Sequence, residues 1–296
     1  MIVVFGSLNV DLVMEMDAVP SRGQTVLARS SRIEPGGKGA NQALAARRGG
    51  AEVIMVGAVG RDPLAAVATG NLEQAGVDIS RVTAVDAPTG CASIWLEADG
   101  SNRIAVALGA NAEARAGQID DDTLGGASSV LLQMETQPEE TAAVLRRCRT
   151  LGVRSVLNLA PAAPLPDLGL AGLLVVNEDE AEALAGWVGS RADAASLRTA
   201  IGCDVIRTLG AKGSEAATAG GAWTVPAFAA RVRDTTAAGD CYVGMLAAAL
   251  DRGTGLPHAM REASAAAALA CERAGSQASL PALEDVAVRL RDALPR

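Results

Sequence analysis

The chain has 296 residues, 49% of them hydrophobic, so it can bury one large α/β core or two small ones and is too apolar to be disordered. Aromatic residues make up 2%, too few for base-stacking platforms, and 26 basic against 34 acidic residues give a net charge of -8, which removes any global attraction for nucleic acid or an anionic membrane. The single histidine, His258, excludes a metal site within the chain that needs two or three imidazoles and leaves little room for a Ser-His-Asp machine, so acid–base chemistry falls to carboxylates or lysine.

From the start of the chain, residues 2–5 read as a buried strand. The opening MIVVFGSLNVDLV has no basic leader and meets Asn9 and Asp11 within a dozen residues, which is not the pattern of a signal peptide. Residues 9–35 carry period-2 and turn-like sequence with no strong helical stretch. A helix is expected over 40–48, a strand over 52–56 and a helix over 63–74. Residues 88–110 (PTGCASIWLEADGSNRIAVALGA) read as a hairpin turning at Asp99-Gly100. Strands follow at 130–132, 155–157, 173–176 and 205–206, between helices over 138–151 and 178–184. Helices over 241–251 and 258–273 come last.

This alternation predicts an α/β fold: a mostly parallel central sheet sandwiched by helices, with ligand at the carboxyl ends of the strands. The two segments that break the rhythm, about 9–35 and 88–110, predict a small, discontinuous β-sheet lid on a single domain spanning 1–296. No apolar run approaches the roughly 18 residues of a membrane-spanning helix. The five cysteines, Cys91, Cys148, Cys203, Cys241 and Cys271, are odd in number and form no Cys-x-x-Cys, which reads as the reduced thiols of a soluble, cytoplasmic protein.

Two motifs carry chemistry. Gly36-Gly37-Lys38-Gly39-Ala40-Asn41 lets the backbone approach a ligand closely and adds a point charge and an amide, a set suited to sugar hydroxyls; an ordinary glycine-rich turn into a helix has the same look. Neither a Walker A loop nor a Gly-x-Gly-x-x-Gly fingerprint occurs. The second motif, Asp234-Thr235-Thr236-Ala237-Ala238-Gly239-Asp240, runs into a helix. Small residues before a helix leave N–H groups free at its positive end, and a carboxylate beside such an anion cradle is what phosphoryl transfer to a hydroxyl requires. Asp240 as a plain helix N-cap is the simpler alternative, but a cap does not explain the small-residue run or Asp234.

On these motifs the chain resembles the ribokinase-like (PfkB-type) carbohydrate kinases. The resemblance runs nearly end to end and in order: Gly6-Ser7-Leu8-Asn9-Val10-Asp11, then 36–41, Gln133-Met134-Glu135, Asn158-Leu159-Ala160-Pro161, Asn177-Glu178-Asp179-Glu180, Thr208-Leu209-Gly210, 234–240 and 275–281. The Gly-Gly-Lys-Gly-Ala-Asn form with Asn9 and Asp11 is most like that of the ribose- and deoxyribose-phosphorylating members.

The resemblance implies ATP-dependent phosphorylation of a sugar hydroxyl, D-ribose to D-ribose 5-phosphate first, with deoxyribose, another pentose or hexose, or a nucleoside as alternatives. A sugar-binding sensor without catalysis is the alternative of another class, and retention of Asp240 and its anion loop speaks against it. Asn9, Asp11, Gly37, Lys38, Asn41 and Glu135 are then expected to bind the sugar, Asp240 to be the general base, and the N–H groups of Ala237, Ala238 and Gly239 to form the anion hole. Asn177 and Glu180 are expected to meet the nucleotide and Mg²⁺-bound water, Thr208, Gly210 and Gly213 to line the ATP, and Ser264 to lie near the adenine. A monovalent cation, K⁺, would be ringed by Asp234, Thr236, Ala270, Arg273, Gly275 and Ser279. Family members often dimerise through the lid, so a homodimer is expected too.

Simpler readings stand beside these roles. Asp11 could be a surface turn residue and Glu135 a solvated charge ahead of a helix. Residues 177–180 could be no more than an acidic helix start, good physics without function. Trp95 could pack the lid or touch the ligand. His258 is expected to be structural or at the surface, and Cys241 and Cys271 to be small buried hydrophobes. Departures from the family pattern are Cys241-Tyr242-Val243, Leu159 and Arg207, which bear on specificity and nucleotide packing but not on reaction class.

Overall fold

A computed structural model describes residues 1–97 and 101–293. The first part of the chain forms β1 (Ile2–Phe5), β2 (Asn9–Met16), β3 (Ser30–Gly36), α1 (Lys38–Arg48), β4 (Val53–Gly60), α2 (Leu64–Ala75), β5 (Asp78–Val85), β6 (Gly90–Glu97) and β7 (Asn102–Ala107). The middle forms α3 (Asp121–Gly125), β8 (Ser129–Leu132), α4 (Pro138–Leu151), β9 (Arg154–Asn158), β10 (Leu173–Val176), α5 (Glu178–Val188) and α6 (Ala194–Ile201). Then come β11 (Asp204–Thr208), β12 (Ser214–Thr218), β13 (Gly221–Val225), α7 (Ala238–Asp251), α8 (Leu256–Cys271) and α9 (Leu283–Asp292).

Nine strands make the main sheet in the order β13-β12-β11-β10-β9-β8-β1-β4-β5. Every pairing from β11 across to β5 is parallel, and β12 and β13 add an antiparallel edge. The predicted mostly parallel sheet is therefore present. Its alternation of side chains splits the interior in two: on β1, Ile2 and Val4 pack with α1, α7 and α8, whereas Val3 and Phe5 pack with Leu145 of α4, Leu184 of α5 and Leu197 of α6. Each such large side chain taken fully out of water contributes about 1.5–3 kcal/mol. Not foreseen were β5, β12, β13, α3, α6 and α9, which are short or largely exposed; α9, for instance, buries only Val286.

One contact between helices sets up the site. A Cβ on Gly244 of α7 would stand 2.5 Å from the Gln42 carbonyl and 2.6 Å from the Ala45 Cβ, both on α1. Glycine at 244 is what lets α7 and α1 approach that closely.

The segments that break the rhythm form a second sheet of four strands, β3-β2-β6-β7, with β2 parallel to β6 and the outer pairs antiparallel. The register puts Asp11, Glu34, Ala92 and Val106 on one face and, by the period of two, Trp95 on the other. Trp95 donates its indole N–H to Ser93 Oγ at 2.9 Å, so it packs that sheet and lies away from Asp11. The expected Asp99-Gly100 turn lies outside the described residues. Among the described residues no helix is long and apolar enough to cross a membrane.

Candidate active site

The chain leaves β1 for β4 and β5 on one side of the sheet and returns to β8 through β11 on the other, so the order reverses at β1. In sheets of this kind a crevice opens at such a reversal, outside the carboxyl ends of the strands. Four expected clusters follow such an end: Asn9 and Asp11 after β1, Glu135 after β8, Asn177 and Glu180 after β10, Thr208 and Gly210 at β11; residues 36–41 instead join β3 of the second sheet to α1, and 234–240 lead into α7.

The residues expected to bind the sugar form a buried polar network. Glu135 accepts the Ser7 hydroxyl at 2.6 Å, the Lys38 backbone N–H at 3.1 Å and the Asn9 amide at 3.4 Å. All three reach Oε2, so none of them occupies Oε1. Glu135 is 9% exposed, which sets aside a solvated charge ahead of α4. Asn9 is oriented by Asn111, whose amide donates to Asn9 Oδ1 at 2.7 Å while bracketing the backbone of Leu8. Gly37 precedes α1 with φ 90, in the region that favours glycine, and a Cβ there would lie 2.7 Å from the Asn9 nitrogen.

Asp11 is buried in β2, not in a surface turn. Burial first, then the charges of Glu135, Glu34 and Asp240, pushes its carboxyl up to about 7. Lys38 moves the opposite way to a lone buried amine. The Asp240 carboxylate is the largest influence and holds the ammonium above its usual range, burial opposes this, and Glu135 and Glu180 reinforce it.

Asp240 is buried in the first turn of α7 and is not its cap. The N-cap is Ala237, in the left-handed region at φ 58, and Cys241 N–H closes the first helical bond to its carbonyl. The Asp240 side chain turns instead to α1, where Asn41 Nδ2 donates to Oδ2 at 3.0 Å and Gln42 Nε2 to Oδ1 at 3.0 Å. That geometry decides against the cap reading. Asn41 Oδ1 is left buried without a partner, an acceptor ready for a ligand hydroxyl. Of the three expected anion-hole donors, Ala238 N–H already donates to the Thr235 carbonyl at 3.2 Å. The helix geometry leaves the Gly239 and Asp240 N–H groups without intrahelical acceptors.

The residues expected on the nucleotide side are differently placed. Asn177 caps α5 and trades hydrogen bonds with Glu180, backbone to side chain, at 2.8 Å in both directions. The capped acidic helix start is thus present. Glu180 also lies within the field of the site: burial raises its carboxyl, the Asn177 N–H and Lys38 lower it, and Asp240 raises it. Thr208 donates to the Val176 carbonyl at 3.4 Å, Gly210 opens a short turn and Gly213 precedes β12. Ser264 is buried in α8 with its hydroxyl on the Pro226 carbonyl at 3.3 Å.

The expected cation residues come together on two loops. Asp234 accepts the Thr236 N–H at 2.9 Å and the Gly275 N–H at 2.9 Å, and its own N–H and that of Arg233 donate to the Cys271 carbonyl. Burial opposes ionisation of Asp234, but these hydrogen bonds prevail and lower its pKa. Ala270 is the penultimate residue of α8, and Ser279 is buried with its hydroxyl on the Ser276 carbonyl. The Arg273 guanidinium pairs with Asp285 at 3.2 Å, so only its carbonyl is free for such a ring.

Cys241 is fully buried and burial drives its thiol far up; Cys271 is raised by burial too, and neither is poised as a nucleophile. His258 is exposed at the start of α8. Sequence reasoning missed Gln42, Asn111 and Glu34. Gln42 directly follows the glycine-rich motif, and that adjacency was the available signal.

The pfkB family carbohydrate kinase model matches residues 1–283. The ribokinase of Bacillus subtilis is 35% identical over 96% of this chain and 97% of its own, and the deoxyribokinase of Salmonella typhi is 34% identical over 96% of each. The solved structure of Arabidopsis thaliana ribokinase complexed with ribose and ATP superposes with a TM-score of 0.87 at 29% identity, covering 98% of both chains. The chain belongs to the pfkB family of carbohydrate kinases.

Proposed function

We propose that this chain transfers the γ-phosphoryl group of ATP to the 5-hydroxyl of D-ribose, giving D-ribose 5-phosphate and ADP. The observation that carries the reading is the buried Asp240 carboxylate, clamped at the start of α7 beside the unpartnered Asn41 Oδ1. The B. subtilis and A. thaliana similarities support ribose as acceptor, and the S. typhi similarity keeps deoxyribose as the second reading.

Asn9, Asp11, Lys38, Asn41 and Glu135 hold the sugar hydroxyls, and Gly37 lets the backbone lie close to the ring. Asp240 takes the proton of the 5-hydroxyl as that oxygen bonds to the γ-phosphorus and the bond to ADP breaks. Negative charge gathering on the phosphoryl oxygens meets the positive end of α7 and the N–H groups of Ala237, Ala238 and Gly239, with Ala238 first giving up the Thr235 carbonyl. Asn177, Thr208, Gly210, Gly213 and Ser264 line the path of the nucleotide.

Glu180, in the field of Lys38 and Asp240 and with Oε1 not used in the cap, offers a hard oxygen ligand, which fits Mg²⁺ held largely through water; when bound, Mg²⁺ would neutralise phosphate charge. Asp234 with the carbonyls of the loop at 270–279 is likewise an all-oxygen set, which fits K⁺, and the Asp234–Gly275 hydrogen bond ties that loop to the residues preceding α7.

The small sheet acts as a lid over the sugar, and closure excludes the water that would otherwise hydrolyse ATP. Two copies pair through their lids. Ile33 is 58% exposed and Met14 38% on one face, Ile104 55% and Val106 46% on the other, and β3 and β7 are open edges. The five cysteines are all free, which suits a reducing cytoplasm.

The deciding experiment is ADP release across pentoses, hexoses and nucleosides, with K⁺ present or replaced by Na⁺ or Tris. Ribose as best acceptor with a K⁺ requirement is expected. Preference for deoxyribose selects the second reading, a flat panel revives a sugar sensor, and indifference to K⁺ removes the cation site.

A further inference from the structure

Gln42, Gln133 and Asn158 form a chain of buried amides that ends on Asp240. Asn158 Nδ2 donates to the Val175 carbonyl at 3.2 Å, and a carbonyl can only accept. That contact turns Asn158 Oδ1 toward Gln42, whose Nε2 donates to it at 3.1 Å and to Asp240 Oδ1 at 3.0 Å. Both amide hydrogens of Gln42 are then spent, and its Oε1 accepts Gln133 Nε2 at 2.7 Å. A flipped Gln42 would set its oxygen against two acceptors, so one orientation alone satisfies the chain.

We propose that Gln42 is the positioning residue for the acceptor base: anchored by Asn158 and braced by Gln133, it fixes the plane of the Asp240 carboxylate while Asn41 holds the other oxygen. This rests on the reading of Asp240 as the base.

Stability alone does not account for the arrangement. Gln42 and Gln133 are fully buried, and apolar side chains would fill that space without the desolvation cost of amides. The network is also incompletely satisfied, since Gln133 Oε1 has no partner. Buried polar chains that break the rules of core packing cluster at functional sites.

The test measures steady-state kinetics of Gln42→Met, Gln133→Met, Asp240→Asn and the double variant Gln42→Met/Asp240→Asn, with Tm and ATP affinity as controls for folding. Gln42→Met is expected to lower kcat about 10–100-fold, the scale of a misplaced reacting group, with sugar and ATP KM changed less than about threefold. Gln133→Met should lower kcat by a smaller factor in the same direction. In the Asp240→Asn background, Gln42→Met should cost nothing more, because its effect runs through that carboxylate.

Near-wild-type kcat in Gln42→Met overturns the proposal, as does a loss that multiplies onto that of Asp240→Asn. If Gln42→Met does not fold, Gln133→Met decides: a fall in kcat alone supports the proposal, and unchanged kcat overturns it. High turnover in Asp240→Asn itself overturns the base reading, an outcome distinct from both.

Discussion

The two halves of the crevice are built differently. On the proposed acceptor side, Asn9, Asp11, Asn41, Glu135 and Asp240 are all 9% exposed or less and hold one another by side-chain hydrogen bonds or share one electrostatic field. On the proposed nucleotide side Asn177 is exposed, its side chain capping α5, and Thr208 reaches only a backbone carbonyl. The first group is preorganised, so its ordering cost is met when the chain folds; in the proposed reading the second would leave recognition to backbone and turn shape. Substitutions should therefore act through chemistry and sugar affinity in one half and through stability in the other.

The largest effect is expected at Asp240. Asp240→Asn should cut kcat by roughly 10²–10⁴-fold, the usual contribution of a general base, while sugar binding measured by calorimetry persists. Turnover within a few-fold of wild type would remove Asp240 from the chemistry. Next comes Glu135→Gln, which weakens the acceptor for Ser7, Asn9 and the Lys38 N–H. Hydrogen bonds to a charged group are worth about 1.5–3 kcal/mol each, so sugar KM should rise on the order of 10–100-fold with the ATP KM unmoved. A change confined to ATP would mean that Glu135 serves the other half.

Much of this division could be read in the residues before any coordinates. The parallel sheet follows from the alternation of β-branched runs with alanine-rich stretches, and the meeting of residues 36–41 with 234–240 follows once strand ends are known to host ligands. What could not be read was orientation. Asp240 as N-cap and Asp240 as a side chain turned toward α1 have the same sequence, and the left-handed Ala237 with the close approach at Gly244 decides between them. Gln42 and Asn111 escaped notice because an amide takes its meaning from its partner, and those partners are far off in the chain. Residues 177–180 were ambiguous for a physical reason: one acidic helix start can cap itself and still face a ligand.

Asp11 tests preorganisation from the side of its cost. Its carboxyl is raised from 3.8 to about 7, so the folded protein holds a proton there that the unfolded chain releases. The folded state is therefore favoured at low pH by this group, and the contribution falls away as pH rises from about 4 to about 7, above which the penalty is constant. Asp11→Asn should flatten that part of the stability profile and raise the Tm of the ligand-free protein at pH 8 by a few degrees, at about 2–4 °C per kcal/mol. The same change should weaken sugar binding. A lower Tm at pH 8 would show that the buried carboxylate is stabilised rather than strained.

The smallest effect belongs to the nucleotide half, and it sharpens the contrast most. Asn177→Ala removes one arm of a reciprocal cap, at a cost of about 1 kcal/mol, so Tm should fall by about 2–4 °C. If Asn177 also meets the nucleotide or its metal-bound water, the ATP KM should rise several-fold with the sugar KM unchanged. Asn177→Asp separates the two effects, since aspartate caps as well as asparagine and so restores Tm. An ATP KM that recovers along with Tm would assign Asn177 to the helix alone. An ATP KM that stays high in a fully stable protein would place it on the nucleotide path, and only that second result makes an exposed cap part of the crevice.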